Sequence, residues 1–188
     1  MTDDSGPSSH RLAATSIFSL LGSDWRTLAE SMPSNCDHSS GGRYAVRHNP
    51  AVYYTAIAGE CSSQDVPLAA TPDLSARFTV IIPNLCNDMH DCSTATGDKW
   101  LAEEVPQIVN TPEYRSGTTA LFITWDENDS GGSLVPTYVV APSVAPGTRS
   151  SQQFDHYSLL RTTEDMLGLH PLLGRAATAS DMSAAFHL

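Results

Sequence analysis

Ala120-Leu121-Phe122-Ile123-Thr124-Trp125-Asp126-Glu127-Asn128-Asp129 opens as an apolar run and closes in acid. Five of its first six residues are apolar, and Phe, Ile, Thr and Trp all favour strands. A run this short, bounded by polar residues, predicts a buried strand rather than a helix. Gly131-Gly132 supplies a turn after it. Asp126 and Glu127 therefore sit at the carboxyl end of a core strand, the place where open α/β sheets bind ligands. Two carboxylates at one point repel, so they call for a cation or a shared proton. Hard divalent cations take such oxygen ligands. The plainer alternative is a solvated exit from the strand, because acidic residues are common in turns.

Outward from that strand, the same pattern recurs. Arg77 to Ile82 is a second apolar strand, stopped by Pro83-Asn84. Leu85-Cys86-Asn87-Asp88-Met89-His90-Asp91-Cys92 follows, again a strand leading into Asp and His. Asp88, His90 and Asp91 match the ligand chemistry of a divalent metal; the alternative is a polar turn whose Asp side chains bond the backbone. Trp25 to Ala29 reads as a further strand after a short helix within Leu12 to Leu21 that Gly22 ends. His48 precedes Pro50, which restrains Asn49 and suits a helix start. Asp98 is expected to cap a helix interrupted by Pro106. Leu134 to Val140 reads as a last strand, irregular at Pro136. Asp155 caps the strongest helical stripe, Leu159, Leu160, Thr163, Met166 and Leu167, which Gly168 ends. His156 lies in that helix's first turn, where anions bind. A short helix over residues 179–186 closes the chain. No repeat or linker divides the 188 residues, so one domain is expected.

Composition narrows the function. A net charge of −11 argues against a basic nucleic-acid surface. It is compatible with a phosphorylated substrate, because a bound metal reverses the local sign. No apolar run is long enough to span a membrane. The four cysteines, Cys36, Cys61, Cys86 and Cys92, lack zinc-site or redox spacing. An even count with one close pair reads as two local disulfides, Cys36–Cys61 and Cys86–Cys92, in an extracytoplasmic compartment; four buried thiols are the alternative. Met1-Thr2-Asp3-Asp4-Ser5 is not a signal peptide. Disulfides without an export signal lead us to expect a further segment upstream of Met1.

Six stretches in order resemble the bacterial phosphoesterases that include acid phosphatases and phospholipases C. They are Ser23-Asp24-Trp25-Arg26 with Glu30-Ser31-Met32-Pro33; Arg47-His48-Asn49-Pro50 with Tyr53-Tyr54; Ile82-Pro83-Asn84 with Asn87-Asp88-Met89-His90-Asp91; Gly97-Asp98-Lys99-Trp100-Leu101; Thr124-Trp125-Asp126-Glu127; and Asp155-His156-Tyr157-Ser158-Leu159-Leu160-Arg161. The resemblance implies an α/β fold with an alkaline-phosphatase-like sheet flanked by helices, incomplete at its amino terminus. It implies transfer of a phosphoryl group to Ser or Thr beside a divalent metal, then to water. Asp126 and Glu127 match the family's acidic metal pair, His48 and His90 the histidines of the phosphate site, and His156 the histidine that opens the last helix. The substrate is a phosphate ester, either a small molecule or a phospholipid headgroup. The chain departs from the pattern at its start: the family's Glu-Asn metal pair and nucleophile precede a stretch like Thr2-Asp3-Asp4. Two other readings compete with the enzyme. One is a phosphate- or headgroup-binding remnant of the same fold; the other is a calcium-stabilised domain using Asp126, Glu127 and Asp129.

Overall fold

The computed structural model describes residues 5–128, 132 and 134–188. Thr2-Asp3-Asp4, Asp129 and Gly131, which entered the expectations above, lie outside the described residues. The chain divides into two compact units, residues 1–111 and 112–188.

The first unit is built on β1 (Trp25–Ala29). Helix α1 (Ile17–Leu21) leads into it, opened by a reciprocal cap between Ser16 and Ser19 and closed by Gly22 at φ 64°. Only the last half of the expected 12–21 segment is helical, because Ser16 takes the extended capping conformation. Phe18 meets Trp25 edge to face at 4.9 Å. Trp25 and Leu28 are buried, each worth about 1.5–3 kcal/mol against exposure. Helix α2 (Cys61–Gln64) and the short β2 (Asp65–Pro67) come next, and β3 (Phe78–Ile82) follows. The strand order is β2-β1-β3, and both pairings are parallel. Their carboxyl ends therefore share one edge of the sheet. Beneath it Ala29, Met32, Tyr44, Val46, Val52, Tyr53, Cys61 and Ile82 form the core. β3 is only half-buried apart from Ile82, short of the buried strand expected, since β1 covers it on one side alone. Helix α3 (Thr94–Val109) begins at Ser93 rather than Asp98 and runs on through Pro106. Asp98 is its fifth residue, and no helix breaker stands between Thr94 and Asp98 except Gly97, which a close contact requires.

The second unit pairs β4 (Leu121–Thr124) antiparallel with β5 (Thr137–Val140). β4 thus forms where the sequence predicts, but half-buried and in an antiparallel pair, so the parallel-sheet argument for its carboxyl end does not apply to it. β5 starts one residue after Pro136, which cannot donate to the ladder. Helix α4 (His156–Leu167) is opened by Asp155, whose side chain accepts from Ser158 N–H, and is closed by Gly168 at φ 66°. The tail helix α5 is shorter than expected, Ser183–Phe186, and Ala179, where it was expected to start, is extended at ψ 159°. Thr162 Oγ1 takes the Met182 N–H at 2.9 Å and ties the tail to α4.

Candidate active site

Two segments beyond the strands of the first unit bring five polar side chains together. The first is Arg47-His48. Its position is set by the next residue, Asn49, which is fully buried. Asn49 Nδ2 donates to both carboxylate oxygens of Asp65 at 2.9 Å and to Tyr44 Oη at 3.1 Å. Its own Oδ1 accepts from Ala51 N–H at 3.2 Å. Asp65 also accepts from Thr27 Oγ1 on β1. Burial pushes the Asp65 carboxyl up, and the Thr27 and Asn49 bonds oppose that shift. An unpaired carboxylate here would be costly, and these bonds are what make it tolerable. The polar triad therefore anchors His48 to the sheet.

The second segment is the loop after β3, residues 84–92. Asn84 is buried and takes the N–H groups of Cys86 and Asn87 on its side-chain oxygen at 3.0 and 3.2 Å. Asp88 N–H returns to Asn84 O at 2.9 Å, and Asp91 N–H to Leu85 O at 2.7 Å. The Cys86–Cys92 disulfide closes the loop with Cα atoms 4.7 Å apart. Cys36–Cys61 is the other pair, 5.4 Å apart, so both expected disulfides form.

The two segments meet through Asp88. Its Oδ2 lies 3.0 Å from His48 Nδ1. A carboxylate accepts, so Nδ1 carries the proton and Nε2 is the nitrogen left to act. Asp88 Oδ1 takes His90 N–H at 2.8 Å. His90 Nδ1 donates to Asp91 Oδ1 at 2.8 Å, and His90 Nε2 accepts from Arg47 Nη2 at 3.3 Å. The two imidazole rings stand 5.7 Å apart. One guanidinium and two oriented imidazoles thus converge in a chain that is otherwise acidic. Of this set Arg47 can hydrogen-bond an oxyanion, and the free Nε2 of His48 can take or return a proton at a leaving oxygen. His48 is half-buried and His90 exposed, which leaves the cluster open to a ligand.

The second unit holds the remaining candidates. Asp126 and Glu127 follow β4 and are exposed. His156 Nε2 donates to the Asp126 carbonyl at 2.8 Å. His156 therefore pins the strand exit that carries the two acids, a role its place in the first turn of α4 did not reveal. Hard carboxylate oxygens suit a divalent cation. Among the described residues these two are not joined by a third His, Cys, Asp or Glu ligand, so a cation there would draw on other oxygens as well. The one cluster of three such groups among the described residues is Cys36, His38 and Cys61, whose ligand atoms lie within 4.8 Å of one another. Its sulfurs are joined in the disulfide and offer no thiolate.

Sequence reasoning singled out His48, His90 and Asp88 separately and missed what joins them. Asn49 and Glu30 escaped it because their partners, Asp65 and the Asn84–Asn87 loop, are distant along the chain.

A model of the Phosphoesterase family matches residues 22–170. A phosphatidylinositol-3-phosphatase of Mycobacterium tuberculosis is 35% identical over 146 residues, covering 74% of this chain and 46% of that protein. A probable acid phosphatase of Kluyveromyces lactis is 26% identical over 144 residues, covering 70% of this chain and 34% of that protein. This chain spans less than half the length of these curated relatives. The second is a yeast protein, so similarity of this kind is not confined to bacteria. No solved structure matches significantly.

Proposed function

The chain belongs to the phosphoesterase family, and on that premise we propose that it serves hydrolysis of phosphate esters outside the cytoplasm, as an acid phosphatase or phospholipase C-like enzyme. The observation that carries the reading is the Arg47–His48–Asp88–His90 cluster. Arg47 engages phosphate oxygens, its guanidinium held in place by His90, whose Nε2 accepts from it. His48, its proton held on Nδ1 by Asp88, uses Nε2 toward the phosphate or the leaving oxygen. In the second unit Asp126 and Glu127 would hold a divalent cation, the strand exit that carries them being pinned by the His156 bond to the Asp126 carbonyl. A divalent cation bound there would supply Lewis-acid chemistry. The family match runs through both units, which supports reading them as one alkaline-phosphatase-like domain.

The substrate is a phosphate ester, small or a phospholipid headgroup; the name of the mycobacterial relative favours a phosphorylated inositol headgroup. The two disulfides support an extracytoplasmic setting, and no helix among the described residues is long and apolar enough to cross a membrane. The test is hydrolysis of p-nitrophenyl phosphate with Mg²⁺, Mn²⁺, Ca²⁺ or Zn²⁺ added, beside calorimetric titration with inorganic phosphate. Metal-dependent turnover that His48→Asn abolishes supports the enzyme. Phosphate binding without turnover identifies the non-catalytic remnant of the fold, and neither binding nor turnover ends the reading.

A further inference from the structure

Glu30 is the first residue beyond β1, and nothing in the chemistry above uses it. Its N–H donates to Ile82 O at 2.8 Å, so it extends the β1–β3 ladder by one step. Its carboxylate turns toward the loop after β3. There Asn87 Nδ2 reaches both oxygens, at 2.8 and 2.9 Å, and Asn84 N–H reaches Oε2 at 3.0 Å. Asn84 Nδ2 adds a bond to Ser31 Oγ at 3.1 Å. We propose that Glu30 is a positioning residue of the phosphate site: by holding Asn84 and Asn87 to the end of β1, it sets the height at which Asp88 meets His48. The proposal rests on the reading of His48 and Asp88 as part of that site.

The bonds form one unbroken path. Glu30 binds Asn84 and Asn87; Asn84 O takes the Asp88 N–H; Asp88 Oδ2 takes the His48 Nδ1 proton. The other restraints on the loop act differently. The Cys86–Cys92 disulfide fixes the loop's own width. Met89, between Asp88 and His90, holds a left-handed φ of 75°, which a methionine adopts only when its surroundings impose it. Its side chain lies over Gly97 of α3, where a Cβ would collide with it and come within 2.8 Å of the Asn87 carbonyl. These features shape the loop, whereas Glu30 ties it by its side chain to β1. Charge-assisted bonds of this kind are the strong ones, and three converge on a single carboxylate.

The test compares the full chain with Glu30→Gln, Glu30→Gln/Asn87→Asp, Asp88→Asn and His48→Asn. The readouts are the ¹⁵N shifts of the His48 ring, which report where its proton resides, and the calorimetric affinity for inorganic phosphate. In Glu30→Gln the new amide nitrogen faces the Asn87 amide. We expect a cooperatively folded protein whose His48 proton is shared between Nδ1 and Nε2 and whose phosphate affinity falls about tenfold. In the double variant the amide introduced at position 30 donates to the carboxylate introduced at position 87. Its oxygen still accepts from Asn84 N–H, so both readouts return toward wild type. Should Glu30→Gln unfold, Asn87→Ala carries the same expectation. A wild-type His48 signature in folded Glu30→Gln, or in Asn87→Ala should that variant unfold, overturns the proposal, and so does a double variant no closer to wild type than the single one. If Asp88→Asn and His48→Asn both bind phosphate like wild type, the phosphate-site reading fails, and the His48 tautomer in Glu30→Gln still decides the positioning role.

Discussion

Replacing the two cysteines of one disulfide by alanine should separate stability from function. Both bridges lie in the first unit, but they enclose loops of different length. Cys36–Cys61 spans a separation of 25 residues and Cys86–Cys92 a separation of 6. Loop-closure entropy of the unfolded chain then assigns about 3.5 kcal/mol to the first and about 2.2 kcal/mol to the second. Packing widens the gap, because Cys61 is buried in the core cluster and Cys36 packs against it. The functional order is the reverse. The shorter bridge encloses Asp88 and His90, and Asp88 orients His48. Urea denaturation followed by tryptophan fluorescence measures the first quantity, and calorimetric phosphate affinity the second. Cys36→Ala/Cys61→Ala should lose more stability, by about 1 kcal/mol or more, and keep its phosphate affinity under folding conditions. Cys86→Ala/Cys92→Ala should lose less stability and about tenfold or more in affinity, since an unconstrained loop must be ordered on binding. A shorter-bridge variant that is the less stable of the two, yet binds phosphate like wild type, would refute the reasoning.

Asp126→Asn should weaken binding of Mn²⁺, read by calorimetry, while leaving phosphate binding in metal-free buffer unchanged. Burial first, and Glu30 second, raise the Glu104 carboxyl above its ordinary range. A carboxyl raised on folding costs stability above that raised value, and the cost disappears as pH falls toward the ordinary range. Glu104→Gln should therefore raise the melting temperature slightly at pH 7 and not at pH 4, by a fraction of a kcal/mol because the group is part-exposed. The Ser158 backbone N–H lowers the Asp155 carboxyl. Its contribution is present above the ordinary carboxylate range and is lost as pH falls through the lowered value. Asp155→Ala should cost about 1 kcal/mol at pH 7 and less under acid, measured by thermal melts across pH.

Much of the local structure was legible because its causes are local. β1 was placed at Trp25–Ala29, and α4 with Asp155 and Gly168 at its ends, since strand propensity and caps act over a few residues. The cysteine pairs followed from nearness in sequence. Asp98 misled, because an acid ahead of an apolar stripe looks like a cap, whereas Ser93 already starts the helix. β2 was missed altogether: three residues with a buried Asp carry no strand pattern, and β1 supplies the reason for it. β5 was read as a strand, but its antiparallel pairing with β4 was not, because a short apolar run fits either direction. At the candidate site the residue types were visible and their arrangement was not. His48 and Asp88 are 40 positions apart, and what joins them is the packing of Asn49 on Asp65 and of Asn87 on Glu30.

Arg47, oriented by His90, and His48 are proposed to form one phosphate site aligned by Asp88. Calorimetric titration of inorganic phosphate into the wild type, Arg47→Ala, His48→Asn and Asp88→Asn tests it most directly, since it needs neither nucleophile nor metal. Saturable binding by the wild type is expected, with about tenfold or more of the affinity lost in each variant. Equal affinity in all four proteins, or no binding by the wild type, would contradict it.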